Sequence, residues 1–83
     1  MEIVWDERKR VVNLDKHGMD FEVLSAEFFA QATIFPGKKG RSIAVGYIDG
    51  IIAVVFVLLG TEAVSVISMR PASKSERKRL CRS

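Results

Sequence analysis

The sequence predicts an α+β fold, in which two N-terminal helices pack on a small antiparallel β-sheet and a short helix ends the chain. Up to residue 32 the apolar residues recur at helical spacing, and from Ser42 onward they form continuous or alternating runs. Asp49-Gly50 separates two of these runs, and such a dipeptide is the strongest short-range signal for a hairpin. Since 83 residues suit one small core, residues 1–83 are expected to form a single domain.

The N-terminal elements follow from residue type and spacing. Residues 2–5 are β-branched or aromatic after Glu2 and predict a short strand. Asp6 is placed to cap a helix over 7–17, because its carboxylate can accept a free amide hydrogen of the first turn. Val11 and Leu14 lie on one side of that helix, so we expect them to be buried.

A second helix is expected over residues 20–32. Gly18 ends the first helix, since glycine readily takes the left-handed conformation, and Asp20 is placed to cap the next one. The expected buried stripe consists of Phe21, Leu24 and Phe28.

Three strands and a basic helix follow a predicted loop over residues 33–40. The strands are expected at 42–48, 51–59 and 63–69, paired as an antiparallel meander. The strand at 51–59 is apolar on both faces, which predicts a central strand covered on both sides. Two helices can cover one face only, so the other face needs the C-terminal helix or a partner. Ser73 and Glu76 have capping-box spacing at the start of that helix.

The charge is unevenly distributed along the chain. The net charge is +3; residues 1–30 contain four basic and seven acidic side chains, whereas residues 31–83 contain nine basic and three acidic ones. A cationic surface of this kind attracts polyanions. A solvated helix face would give the same pattern, and charge alone leaves the two readings open.

Several classes of protein are excluded by composition. The longest apolar run has nine residues, whereas a membrane-spanning helix needs about 20. The single cysteine, Cys81, cannot form an internal disulfide and offers no zinc-site spacing, so a reducing, cytoplasmic setting is expected. The sequence also contains no metal-ligand cluster, nucleotide-binding glycine loop or serine triad, and no cofactor is expected.

Three blocks of residues resemble the BrnT family of bacterial ribonuclease toxins. The N-terminal block fits W-D-x-x-K-x-x-x-N-x-x-K-H-G-x-x-F from Trp5 to Phe21. The middle block, from Arg41 to Gly46, is similar to R-x-x-A-[IV]-G. The third begins at Ile67 and is similar to I-S-A-R-x-A-x-x-x-E-R. Their agreement in order and spacing over most of the chain is far more specific than one short motif.

The resemblance implies a RelE-like fold and an endoribonuclease that cleaves RNA without a metal. It also implies a BrnA-like antitoxin as partner, and a homodimer or a toxin–antitoxin hetero-oligomer is expected. Two positions depart from the family pattern: residues 57–60 read Val-Leu-Leu-Gly where the family usually has Y-T-x-R, and Leu80 replaces an aromatic residue. The alternative function is therefore a relative that binds its antitoxin or RNA without cleavage.

Three side chains are candidates for the chemistry of RNA cleavage. Such cleavage needs a base, an acid and a cation beside the phosphorane. Arg70 is the candidate cation, since guanidinium matches phosphate in a bidentate way. Glu76 is a candidate base or a partner that orients Arg70, with a simple helix cap as the alternative. His17, the one histidine, is a candidate acid or base, with a structural role at the helix end as the alternative.

The candidate RNA-binding residues are basic side chains around a loop and on the last helix. They are Lys38, Lys39, Arg41, Lys74, Arg77 and Lys78. Contacts of this type give affinity and salt dependence rather than sequence choice. Since Arg70 is expected to be partly exposed, Arg70→Ala should change the free energy of unfolding by about 0.5 kcal/mol only.

Overall fold

The computed structural model describes the backbone of residues 1–81. Arg82, one of the nine basic residues counted in the C-terminal part of the chain, lies outside the described residues. The chain runs through β1 (Glu2–Trp5), α1 (Glu7–His17), a 3-10 turn (Phe21–Val23), α2 (Ala26–Gln31), β2 (Thr33–Pro36), β3 (Ser42–Tyr47), β4 (Ile51–Leu59), β5 (Ala63–Pro71) and α3 (Lys74–Cys81).

The strands form one five-stranded sheet with the order β1-β5-β4-β3-β2. The pairs from β2 to β5 are antiparallel, which confirms the predicted meander and the central place of β4. The sheet as a whole is mixed, because β1 pairs with β5 in parallel. A parallel pair needs a long connection, and the intervening helices and strands supply it.

The predicted loop over residues 33–40 is partly wrong, because Thr33–Pro36 is strand β2. Thr33 pairs with Val45 and Phe35 pairs with Ile43 at the edge of the sheet. Proline is tolerated at such an edge, where one side of the strand has no ladder to complete. The turn between β3 and β4 is also one residue longer than predicted, since Tyr47 and Ile51 are the last pair.

The predicted helix over 20–32 is interrupted. Asp20 caps only the 3-10 turn, accepting from the backbone N of Glu22 at 3.0 Å. Leu24 and Ser25 then have extended backbone, and Ser25 caps α2 by accepting from the backbone N of Phe28 at 3.2 Å. A serine oxygen that satisfies a free amide favours such a restart. The predicted burial of Phe21, Leu24 and Phe28 is confirmed.

Helix α1 has the predicted caps but not the predicted buried face. The Asp6 carboxylate accepts from the backbone N of Arg8, and Gly18 ends the helix with φ +69°. Val11 and Leu14 are exposed, at 53% and 40% of their surface, whereas Asn13 is buried. The prediction of an apolar stripe was wrong because α1 lies at the edge of the sheet and turns a polar residue towards β5.

The two faces of the sheet are covered unequally. Aromatic residues of the 3-10 turn and α2 pack on one face, against Val54 and Phe56 of β4. On the opposite face, Leu80 of α3 packs with Val45 and Ala53. Alternate residues of β4 share a face, so Val55 and Val57 continue this second face beyond α3, and neither belongs to a buried cluster.

We call the uncovered part of this face the open strip. It comprises Val4, Val55, Val57 and Ser65, all half-buried. Val4 is opposite Ser65 on β5, and Ser65 is opposite Val57 on β4, so these three side chains form one row across the sheet. Within residues 1–81, no helix has both the length and the apolar character that crossing a membrane would require.

Candidate active site

Arg70 is held by Glu76 in a bidentate ion pair. Arg70 Nη1 donates to Glu76 Oε1 at 2.7 Å, and Nη2 donates to Oε2 at 2.9 Å. Arg70 lies one residue before the end of β5, and Glu76 lies in the first turn of α3. Glu76 is only 7% exposed, so the pair fixes the guanidinium between the sheet and the last helix.

The predicted capping box is present at the same place. The backbone N of Ser73 donates to Glu76 Oε1 at 2.8 Å, and the backbone N of Glu76 donates to Ser73 Oγ at 3.3 Å. The Arg70 guanidinium first, and the Ser73 amide with it, lowers the pKa of Glu76 to about 2. The Glu76 carboxylate in turn raises the pKa of Arg70. Both groups are therefore charged at neutral pH, and the cap and the ion pair share one carboxylate.

Asn13 fixes the strand beside this pair. Its Nδ2 donates to the carbonyl of Met69 at 2.9 Å and to the carbonyl of Met19 at 3.1 Å. Its Oδ1 accepts from the backbone N of Met69 at 3.0 Å. Met69 immediately precedes Arg70, so one buried side chain of α1 sets the position of β5 at the candidate site.

A first groove, the loop groove, lies between the β2–β3 loop and the sheet. Its volume is about 730 Å³, within the range of roughly 300–1,000 Å³ typical of ligand sites. The loop is closed by a hydrogen bond of 2.8 Å from the backbone N of Gly37 to the carbonyl of Arg41. The loop groove is lined by Pro36, Gly37, Lys38, Lys39, Arg41, Ile43, Val55 and Arg70.

A second groove, the helix groove, lies between α1 and the edge of β5. Its volume is about 570 Å³. Strand β1 pairs with β5 only as far as Val66, so the edge of β5 beyond that residue borders the groove instead of another strand. The helix groove is lined by Arg8, Lys9, Val12, Asn13, Lys16, His17, Ile67, Ser68 and Arg70.

The structure groups the residues predicted from the sequence into two sets. Arg70 shares the loop groove with Lys38, Lys39 and Arg41, and it shares the helix groove with His17. The other three basic residues line a separate groove on α3 together with Ala72; they are Lys74, Arg77 and Lys78.

Sequence reasoning missed the cations that α1 adds to the site, Arg8, Lys9 and Lys16. The signal was present in the sequence, because Lys9 and Lys16 are seven residues apart, about two helical turns, and so lie on one helix face. Val11 and Leu14 nevertheless suggested that another side of α1 met the sheet. Among the described residues, no group of three or more His, Cys, Asp or Glu side chains is placed to hold a metal ion.

These features define a small α+β domain in which an arginine, held by a carboxylate, stands between two grooves lined by basic side chains. The model of the BrnT family, described as the ribonuclease toxin of type II toxin–antitoxin systems, matches residues 5–76. The chain belongs to this family. The match confirms the resemblance noted in the three sequence blocks.

A solved structure supports the same assignment. The crystal structure of the Brucella abortus ribonuclease toxin BrnT is similar to this chain, with 53% sequence identity and a TM-score of 0.82. The similarity covers 89% of this chain and 99% of that one. A comparison with curated proteins gives no match. The order of helices, sheet and final helix predicted from the sequence is therefore confirmed by both the structure and the comparison.

Proposed function

We propose that this protein is a toxin that inhibits growth by cleaving RNA in the cytoplasm, as a metal-independent endoribonuclease. Membership of the BrnT family supports the toxin class. The observation that carries the proposal is the position of Arg70, which is fixed by Glu76 and borders both cationic grooves. A phosphate that enters from either side reaches the same guanidinium.

The proposed reaction uses the nucleophile that RNA itself provides. The 2′-oxygen attacks the adjacent phosphorus, the bond from phosphorus to the 5′-oxygen breaks, and the products are a 2′,3′-cyclic phosphate and a 5′-hydroxyl. A base accepts the 2′-hydroxyl proton and an acid donates a proton to the 5′-oxygen. Arg70 stabilises the charge that grows on the phosphorane oxygens.

Glu76 and His17 have different parts in this proposal. A carboxylate with a pKa of about 2 binds a proton weakly, so Glu76 acts as the partner that orients Arg70 rather than as the base. The guanidinium keeps N–H groups that Glu76 does not use, and these can bind phosphate. His17 shares the helix groove with Arg70, and imidazole is the side chain suited to proton transfer near neutral pH. It is the proposed acid or base.

Basic residues around the site hold the RNA backbone. Lys38, Lys39 and Arg41 offer phosphate contacts on the loop side of Arg70. Lys74, Arg77 and Lys78 form a further cationic surface on α3, which extends the attraction for a polyanion. Contacts of this kind make affinity fall with salt but carry no sequence information themselves.

The proposed protein partner is a BrnA-like antitoxin. The proposed assembly is a homodimer of the toxin or a toxin–antitoxin hetero-oligomer. The family is that of the toxins of type II pairs, which supports an antitoxin. The open strip is where we place it, because α3 leaves Val55 and Val57 of the central strand uncovered. Val55 also lines the loop groove, so a partner on the strip would obstruct the approach of RNA to Arg70.

The test is incubation of the purified protein with a mixed-sequence RNA, with and without EDTA. We expect cleavage in both, with cyclic phosphate ends, and at least a tenfold slower reaction for Arg70→Lys, which keeps the charge but loses the bidentate fork. Cleavage that stops with EDTA would contradict the metal-independent step. Parent-level cleavage by Arg70→Lys would show that the guanidinium is not essential.

A second candidate function is binding without cleavage. It is favoured by residues 57–60, which read Val-Leu-Leu-Gly where the family usually has Y-T-x-R. The structure has Leu58 63% exposed at this place, without a polar group to offer to RNA. RNA binding at low salt together with complete absence of cleavage products would favour this function over the first.

A further inference from the structure

We propose that single-stranded RNA crosses the protein through both grooves, with the phosphate to be cleaved at Arg70 between them. This inference rests on the proposed function for the identity of the ligand. It adds the path of the strand and assigns RNA contacts to Lys9 and Lys16, which lie on the α1 side of Arg70.

Arg70 is the residue that the two grooves share. It lines the loop groove and the helix groove, and within residues 1–81 no other residue lines both. A strand that occupies both grooves therefore passes this guanidinium. Its rigid pairing with Glu76 keeps the crossing point fixed whichever groove fills first.

The two grooves carry charge of the same sign. Lys38, Lys39 and Arg41 line the loop groove, and neither groove is lined by a carboxylate. On the opposite side, Lys9 and Lys16 are seven residues apart on α1, about two helical turns, and so lie on one face. The Asn13 hydrogen bonds to Met69 turn this face towards β5. Cations thus continue on both sides of Arg70.

The positions and linings of the two grooves favour a single strand over a duplex. The loop groove opens on the sheet face floored by Ile43 and Val55, whereas the helix groove lies at the sheet edge beside α1. A strand has to bend at Arg70 to follow both, and a flexible single strand bends more easily than a duplex. Neither groove is lined by phenylalanine, tyrosine or tryptophan, on which bases stack. Recognition is therefore mainly of the backbone.

The test is a binding assay with uncleavable RNA, in which 2′-O-methyl groups remove the nucleophile. Fluorescence anisotropy is measured with a trimer and a decamer of the same base composition. The variants are Lys16→Ala in the helix groove, Lys39→Ala in the loop groove and the double change. Arg79→Gln is the charge-matched control, because Arg79 stacks on the Phe35 ring at 4.2 Å and lines neither groove.

For the decamer we expect each lysine change to weaken binding about threefold to tenfold beyond the control. Each should also reduce the slope of log affinity against log salt by about 0.7, the value for one phosphate contact on a single strand. The trimer is too short to span both grooves and should respond to at most one of the changes. A duplex of the decamer should bind more weakly than the single strand.

Two results would overturn the path. One is decamer binding by Lys16→Ala at the level of the Arg79→Gln control, and the other is a duplex that binds as tightly as the single strand. Because the RNA cannot be cleaved, either result leaves the proposed cleavage untouched. Conversely, the expected binding pattern in a protein that cleaves nothing would retain the path and overturn the enzymatic proposal.

Discussion

The Asn13 side chain pairs with both backbone polar groups of Met69. The distances are 3.0 Å from the Met69 N to Oδ1 and 2.9 Å from Nδ2 to the Met69 carbonyl. Strand β1 ends its pairing with β5 at Val66. The Asn13 side chain therefore makes the hydrogen bonds to Met69 that a neighbouring strand would otherwise make. A buried N–H and C=O are satisfied, and α1 is fastened to the sheet one residue before Arg70.

Replacing Asn13 with leucine should destabilise the protein by about 2–4 kcal/mol, because both Met69 groups lose their partner at a buried position. Val12→Ala is the control, since Val12 is an exposed neighbour on the same helix. Urea denaturation followed by circular dichroism measures the difference. Equal stability of the two variants would mean that the Met69 groups find other partners.

The second prediction concerns Arg70 and revises the value expected from the sequence. Arg70→Ala was expected to cost about 0.5 kcal/mol, as for an exposed charge. The structure pairs Arg70 with a buried carboxylate, and the variant would leave that charge without its partner. We now expect a loss of about 2 kcal/mol, reduced from the value for a fully buried pair because Arg70 is about one third exposed.

A double-mutant cycle with Glu76→Gln measures this coupling. The two changes together should cost less than the sum of the single ones, because the neutral amide no longer needs the guanidinium. Additive costs would mean that the two side chains act independently. Cleavage assays on the same variants should show at least a hundredfold loss for Arg70→Ala, the usual effect of removing one preorganised group opposite a developing charge.

Much of the fold could be predicted because local rules and tertiary packing agreed there. The runs at 51–59 and 63–69 and the Asp49-Gly50 turn became β4, β5 and the hairpin. Strand β2 was missed because it has only four residues, too few to show alternation, and its last residue is a proline. Only the structure explains why position 46 is a glycine: a Cβ there would lie 2.9 Å from Cε1 of Phe28.

The candidate site could be predicted only in part. The sequence shows that Arg70 and Glu76 are six residues apart across a turn, which allows contact but does not require it. It cannot show that the loop at 37–41 reaches Arg70, because that proximity depends on the pairing of β3 with β4. The roles of Arg70, Glu76 and His17 in cleavage stay predictions.

The third prediction is a dependence of stability on pH that follows from Glu76. Its pKa is about 2 in the folded protein, below the ordinary 4.5, so the charged form is favoured by folding. The stabilisation is fully present above the unfolded pKa and is lost as pH falls towards about 2. Glu76→Gln should therefore be less stable than the parent by about 2 kcal/mol at pH 7, and the difference should shrink between pH 4.5 and 2. Urea denaturation at pH 7, 4 and 3 provides the comparison, and a constant difference would contradict this assignment.

The last prediction places the antitoxin on the open strip. Val57 of this strip is half-buried and apolar, and it lines neither groove, so a change there can affect a partner without removing a proposed RNA contact. Val57→Lys puts a charge into the expected contact and should weaken binding of the co-expressed BrnA-like antitoxin at least tenfold, since a buried unpaired charge is costly.

The matched control is Val23→Lys, at a valine of the 3-10 turn that is 53% exposed. Copurification and light scattering report the complex, and light scattering of the toxin alone reports a homodimer. If Val23→Lys disrupts the complex and Val57→Lys does not, the antitoxin binds the helical side of the sheet. In that case the antitoxin would not cover Val55, and it could not inhibit the toxin by blocking the approach of RNA to Arg70 there.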